Sequence, residues 1–176
     1  MRMRIGSAIN IPDKENIMND LAQANKIVLA NTFKYYLKAH YYHWNVEGPY
    51  FVELHDLFGN IYEDAFGAVD TLAEELRKMD EYAPGSFIRF QQLSTIEDEV
   101  ELIGWEEMIN RLLDDTDKVL KSIEICYELA ELAHNHGLSN FLAERQSAHK
   151  KFAWQMRSMI KSKITRFPNL SMHIQN

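Results

Sequence analysis

Residues 43–55 of the chain, HWNVEGPYFVELH, contain the features from which the predicted fold and a candidate site follow. Gly48-Pro49 separates a run without glycine or proline, residues 14–46, from a second long run without proline. Proline suits the start of a helix, where its missing N–H leaves no hydrogen bond unmade. The stretch therefore predicts a tight turn between two helices, with His43 near the end of the first and His55 near the start of the second.

The segments on both sides of this turn have helical periodicity. Apolar residues recur at steps of three and four over about residues 14–46, 49–79 and 105–134. The Ala83-Pro84-Gly85 sequence is expected to end the second helix, and Gly137 to follow the third as its C′ residue. Ser139 is the predicted cap of a fourth helix that stops before Pro168. In the longest link, residues 85–103, the capped and acidic stretch 94–99 predicts a short helix across the bundle.

Four long helices, with one long link between the second and third, indicate an all-α fold. The pattern is typical of a ferritin-like four-helix bundle with a short extra helix in that connection. The 176 residues, 46% of them hydrophobic, suffice for one domain over 1–176, with an N-terminal tail of about 1–14 and a C-terminal tail of 166–176.

Composition restricts the possible environment and partners. The only cysteine, Cys126, is an expected core residue and excludes an intrachain disulfide framework, which fits a reducing compartment. The simplest interpretation is a cytoplasmic protein, because no apolar run reaches the roughly 18 residues of a membrane span. The formal net charge of −7 repels phosphate backbones and attracts cations.

The second helix has two distinct faces when its residues are placed at about 100° each around the axis. One sector is the predicted core face, and consists of Leu54, Leu57, Phe58, Ile61, Ala65, Val69, Leu72 and Leu76. The other sector carries His55, Gly59, Tyr62, Phe66, Asp70 and Glu74. Because this sector combines aromatic residues with two mid-helix glycines, Gly59 and Gly67, we expect a further helix to pack on it.

The polar residues of the second sector have two interpretations. In the first, Asp70 and Glu74 are solvated acids, Glu74 pairs with Arg77 or Lys78, and His55 is an ordinary surface histidine. In the second, they are metal ligands, but His55 and Asp70 lie 15 residues apart in the sequence, roughly 22 Å along a helix. One chain therefore cannot bring them to one metal.

Two copies of the second helix, antiparallel about a two-fold axis near residues 62 and 63, remove this difficulty. His55 of one chain then lies opposite Asp70 of the other, with Glu74 one turn further on, and the dimer has two equivalent sites. His43 folds back beside His55 through the Gly48-Pro49 turn. Two imidazoles and two carboxylates suit iron or zinc, with positions left open for oxidant or water.

At these residues the sequence resembles the Dps family, the miniferritins first named as DNA-binding proteins of starved cells. The match includes His43-Trp44-Asn45, Gly48, Phe51, His55, Asp70 and Ala73-Glu74, with a looser match at Lys150–Trp154. The resemblance implies a hollow homo-oligomeric dodecamer, with the short helix at the two-fold interface. It also implies a ferroxidase, an oxidoreductase that converts Fe(II) to Fe(III), usually with hydrogen peroxide, and stores ferric mineral inside, protecting the cell from oxidative damage.

Carried over by matching position, the resemblance makes His43 and His55 iron ligands and catalytic residues from one chain, and Asp70 and Glu74 those from its partner. Trp44 is a candidate electron donor for stray radicals, or else a packing residue. Ferritins proper use Glu-x-x-His motifs within one bundle; here Glu144 and His149 in the fourth helix are five residues apart.

Two departures from the family pattern concern the site and iron entry. Many members have an acid at the position of Gly59, where it adds a ligand from the same chain and helps hold a second iron. Residues 134–140, where members often place acids that line a three-fold pore, contain none, although Glu144 lies one turn further on.

Two other functions remain as alternatives to iron storage. The first is DNA compaction, which some members perform with lysine-rich tails; here Arg2 and Arg4 are followed by Asp13 and Glu15, so we expect little DNA binding. Several cations of the last helix form an expected solvated face, namely Lys150, Lys151, Lys161, Lys163 and Arg166. The second alternative is a shell-forming bundle whose metal site has decayed, motivated by Gly59.

Overall fold

The structure, a computed structural model, describes residues 13–161, and these form five helices without strands. They are α1 (Lys14–Asn45), α2 (Phe51–Lys78), α3 (Phe87–Leu93), α4 (Trp105–Leu132) and α5 (His136–Ile160). The all-α fold, with four long helices and one short helix between the second and third, is confirmed. The predicted tails and the predicted end of the last helix before Pro168 fall largely outside the described residues. Within residues 13–161, no helix combines the length and apolarity that crossing a bilayer needs.

The core lies where the periodicity of α2 places it. α1 packs against α2 and α4, and α4 packs against α5. Every residue of the predicted core face is buried except Val69, which is partly buried against the same cluster. Cys126 is fully buried, as expected, and burial raises the pKa of its thiol to about 12. Trp154 of α5 is 61% exposed and does not contribute to the core.

The short helix exists, but the predicted position at residues 94–99 is wrong. α3 lies earlier, at Phe87–Leu93, and Phe90 stacks on Phe33 of α1 with ring centroids 4.6 Å apart. The capping groups of the predicted position bind α1 instead, because the Ser94 hydroxyl and the Thr95 N–H both donate to Asn31 Oδ1 at 2.8 Å. A tertiary contact therefore uses the hydroxyl and amide that the sequence pattern assigned to a helix start.

The corner between α4 and α5 also differs from the prediction. α4 ends in a Schellman motif whose left-handed residue is His134, at φ 55°, and Gly137 lies inside α5. The Asn135 N–H closes the motif on Ala130 O at 2.8 Å, and the Asn135 side chain caps α5 by accepting from the Leu138 N–H. The predicted cap Ser139 is buried in the first turn. In the same way α2 ends at Lys78 with left-handed Asp80, before Ala83-Pro84-Gly85.

Charged groups are paired inside the bundle. Lys38 of α1 and Asp115 of α4, with side chains 8% and 2% exposed, form an ion pair of 2.5 Å. Asp64 of α2 pairs with Arg145 of α5. His149 lies beside this second pair, and burial lowers the pKa of its imidazole to about 3, so the ring is neutral. These paired ions link α1 to α4 and α2 to α5.

Candidate metal centre

The turn between α1 and α2 brings His43 and His55 into contact. Gly48 has a φ of 116°, and a Cβ at this position would lie 3.3 Å from Trp105 Cδ1, so both conformation and space favour glycine. The Phe51 N–H donates to Gly48 O at 3.2 Å as α2 begins. The predicted tight turn is confirmed, although α2 starts at Phe51 and not at Pro49.

The two imidazoles are held by reciprocal hydrogen bonds to the opposite backbone. His43 Nδ1 lies 2.8 Å from His55 O, and His55 Nδ1 lies 2.9 Å from His43 O. The rings stack with centroids 3.7 Å apart, and both are half-buried. A carbonyl oxygen only accepts, so each Nδ1 carries a proton, and in the neutral form of either ring the lone pair lies on Nε2. This is the tautomer in which a metal binds Nε2 and the backbone orients the ring.

Asp70 and Glu74 lie far along the same helix from the two histidines. α2 is continuous from Phe51 to Lys78, so the 15 residues from His55 to Asp70 correspond to roughly 22 Å of helix. Within residues 13–161 no three His, Cys, Asp or Glu side chains come together at one point. The structure thus brings together one half of the predicted ligand set and leaves the other half apart.

The two distant carboxylates have no side-chain partner in the described chain. Asp70 and Glu74 are exposed, and among residues 13–161 neither forms an ion pair or a side-chain hydrogen bond. Lys78, one of the cations proposed as a partner for Glu74, instead donates to Glu75 at 2.7 Å. Arg77 donates to Glu81 O and lies over the ring of Tyr82. The interpretation of Glu74 as half of a surface ion pair therefore does not hold in this structure.

Gly59 has a different neighbour from the one that the helix pattern predicted. A Cβ at residue 59 would lie 3.4 Å from His43 Nδ1 and 3.5 Å from His43 Cε1. Gly59 therefore contacts the imidazole of α1 in the same chain, while Gly67 has open space around it. Phe66, on the same face, is 57% exposed. On this face, Gly67 and Phe66 therefore remain as the residues where a further helix is expected to pack.

Two aromatic residues beside the histidines were not predicted as parts of the site. His40, one turn before His43, stacks on Tyr62 at 3.9 Å and touches the ring of Trp44 at 4.0 Å. Tyr62 meets His43 edge-on at 5.1 Å. Burial, and then the proximity of His43, lower the pKa of His40, which favours its neutral ring. The helical spacing of residues 40, 43 and 44 is visible in the sequence, but the stacking partner on α2 is not.

The bundle interior is unsuited to a metal ion. Asp115 already binds Lys38, and the Asp64 carboxylate already binds Arg145. Each carboxylate is thus neutralised by a cation of the same chain, and removing Asp115 would leave the buried Lys38 ammonium unpaired. The candidate centre at the α1–α2 turn is therefore favoured over a site within one bundle.

Comparison with known proteins finds one matching family and related proteins of similar sequence. Residues 23–164 match the family described as Ferritin-like domain. A curated relative, the DNA protection during starvation protein of Brevibacillus brevis, is 29% identical over 136 residues, which cover 75% of this chain and 89% of the relative. The Ferritin-like match over residues 23–164 includes both histidines and both carboxylates of the predicted site.

Two solved structures have the same fold. Dps from Staphylococcus aureus superposes with a TM-score of 0.76 at 26% identity, covering 85% of this chain and 97% of that one. The Dps protein of Vibrio cholerae O1, described as a member of a broad superfamily of ferritin-like diiron-carboxylate proteins, gives a TM-score of 0.79 at 25% identity, covering 91% and 100%.

Proposed function

The chain belongs to the Dps miniferritins of the ferritin-like family, and from this premise we propose that it oxidises Fe(II) and stores the product as ferric mineral. The reciprocal hydrogen bonds of His43 and His55 carry the proposal, because they leave both Nε2 lone pairs for a metal. Iron is the substrate, with hydrogen peroxide as the preferred oxidant. The activity is that of a ferroxidase in the cytoplasm.

The proposed site is completed by a second copy of the chain. Asp70 and Glu74 are exposed and unpaired in the described chain, which supports their role as ligands to the partner's iron. An antiparallel α2 pair centred near residue 62 or 63 sets each carboxylate pair against the partner's imidazoles. The exposed Phe66 supplies apolar surface for this contact. The full assembly that we propose is a hollow dodecamer.

Charge supports cations as cargo and argues against DNA as the main partner. The formal net charge of −7 draws Fe(II) towards the protein and repels phosphate backbones. We therefore propose weak or no DNA binding at physiological salt, where a DNA-compacting protein depends on many lysine and arginine contacts.

Iron oxidation by the assembled protein tests the proposed function directly. Anaerobic protein given Fe(II) and then peroxide is expected to form ferric iron faster than buffer does, and to keep it soluble in a particle visible by electron microscopy. The same mixture with dioxygen in place of peroxide is expected to react more slowly. Ferric precipitate at the rate of the protein-free control would contradict the proposal.

Gly59→Asp is expected to raise the iron capacity of each site. A Cβ at residue 59 would lie 3.4 Å from His43 Nδ1, in ordinary contact, so the side chain of an aspartate at this position begins beside the imidazole pair. Carboxylates favour iron, and one more ligand is expected to raise bound Fe(II) from about one to about two per site. Anaerobic calorimetric titration with Fe(II) measures this number.

Two variants control for effects other than ligation at residue 59. Gly59→Ala adds a Cβ at the same position without a carboxylate and is expected to bind iron as the wild type does. Asn110→Asp adds the same charge at an exposed position of α4, a helix that holds none of the proposed ligands. An equal capacity in Gly59→Asp and Asn110→Asp would show that charge, and not a ligand at residue 59, is responsible.

A further inference from the structure

A continuous set of aromatic rings leads away from the histidine pair. Tyr62 touches His43 edge-on, with ring centroids 5.1 Å apart, and stacks flat on His40 at 3.9 Å and 17°. His40 in turn contacts Trp44 at 4.0 Å. Trp44 is 60% exposed, while His40, His43 and Tyr62 are half-buried. The rings thus run from the histidine pair to a side chain that is exposed in the single chain.

One iron at this position cannot supply both of the electrons that reduction of peroxide requires. With glycine at residue 59, the proposed site has two imidazoles and two carboxylates, which suffice for one iron. One Fe(II) supplies one electron, whereas reduction of peroxide to water takes two. Unless a second donor is adjacent, the single electron splits peroxide into hydroxide and a free hydroxyl radical.

We propose that Tyr62 is this second donor: its phenol loses one electron to the iron-bound oxidant and its proton to the neighbouring Glu63 carboxylate. The proposal rests on the proposed function. The Tyr62 hydroxyl already donates a hydrogen bond to Glu63 Oε1 at 3.3 Å, so the proton acceptor is in place. Coupling the two transfers avoids a protonated phenoxyl cation.

Electrons, protons and bonds balance over two irons. In the first step the O–O bond of peroxide breaks, Fe(II) and Tyr62 each give one electron, and two protons from solvent complete two waters. The products are Fe(III), a Tyr62 phenoxyl radical and protonated Glu63. In the second step another Fe(II) reduces the phenoxyl radical and Glu63 returns the proton, so two Fe(II) are oxidised for each peroxide.

Tyr62 is favoured over the neighbouring oxidisable side chains by contact and by proton acceptance. Trp44 contacts the ring of His40, and among the described residues its ring makes no contact with the rings of His43 or Tyr62. Tyr36 meets His40 at 5.8 Å and, among the described residues, its hydroxyl makes no hydrogen bond. Tyr62 alone combines contact with His43 and a carboxylate acceptor in the described chain.

Freeze-quench electron paramagnetic resonance tests the proposal on the assembled protein. Wild type loaded with less than one Fe(II) per site and mixed with peroxide is expected to give a tyrosyl signal that narrows when tyrosine is ring-deuterated. Tyr62→Phe keeps the ring stacking but is expected to lose that signal and to release hydroxyl radical to a spin trap. Glu63→Gln removes the proton acceptor and is expected to lower the radical yield.

Tyr41→Phe is the matched control, because the Tyr41 hydroxyl donates to Glu101 O and lies outside the aromatic set. It is expected to keep the wild-type signal. A wild type that oxidises iron without any tyrosyl radical, or a Tyr62→Phe variant with an undiminished signal, would overturn this proposal alone. A wild type that does not oxidise iron at all would overturn the proposed function with it.

Discussion

Mixed oligomers of two inactive variants are expected to recover iron oxidation. One variant, Asp70→Ala/Glu74→Ala, lacks the carboxylates, and the other, His43→Asn/His55→Asn, lacks the imidazoles but keeps an amide donor for each backbone carbonyl. Each alone is expected to lose at least about 100-fold in catalysed oxidation, since changing groups that merely support a ligand already costs about 10–100-fold.

Complementation is expected from the proposed two-fold arrangement. A mixed dimer has one site with intact histidines from one chain and intact carboxylates from the other, and a second site that lacks both. Random pairing makes half of the dimers mixed, so about a quarter of all sites are expected to regain activity. Peroxide-dependent oxidation by doubly tagged, co-expressed oligomers measures this fraction.

The same experiment separates a shared site from a site within one chain. Histidines and carboxylates that acted in one bundle would leave the mixed oligomers as inactive as their parents. An oligomer that mixes wild type with the carboxylate variant serves as the control, since half of its sites are expected to remain intact whichever way the chains pair.

Asp115→Leu is expected to destabilise the fold by about 3–5 kcal/mol, because it leaves the Lys38 ammonium buried without its counter-ion. Lys118, the other cation on Asp115, is 40% exposed and can turn to solvent. The double variant Lys38→Met/Asp115→Leu removes both charges and is expected to recover most of the loss. Guanidinium unfolding at constant protein concentration measures the difference.

The Lys26–Glu81 pair is a control for this prediction. Its separation is 2.6 Å, close to that of Lys38–Asp115, but its side chains are 21% and 39% exposed. Lys26→Ala is therefore expected to cost less than about 1 kcal/mol, as for solvent-screened pairs. An Asp115→Leu variant as stable as Lys26→Ala would mean that the buried pair contributes little to this fold.

Helix positions could be predicted from the sequence where apolar periodicity and helix-breaking residues agreed. The core face of α2 and the turn at Gly48-Pro49 were both predictable, because apolar spacing and backbone chemistry are local properties. The short helix was misplaced for a specific reason. Ser94 and Thr95 have the capping groups of a helix start, and only the folded chain shows that Asn31 of α1 binds them.

Helix ends show the same limit on a smaller scale. Gly137 and Ser139 have the right residue types for a C′ position and a cap, yet His134 and Asn135 take those roles. A residue type indicates which backbone conformations are low in energy. The packing of α4 on α5 decides at which residue the chain turns.

For the candidate site, the sequence by itself determined which residue types are available as the proposed ligands and the distance that prevents one chain from using all of them. The 15-residue separation of His55 from Asp70 depends only on the rise of a helix. Tertiary structure decided how the histidines are held and what surrounds them. The reciprocal bonds to backbone carbonyls, the contact of Gly59 with His43 and the stacking of His40 on Tyr62 all join α1 to α2. No local pattern encodes them, because each depends on how two helices pack across the turn.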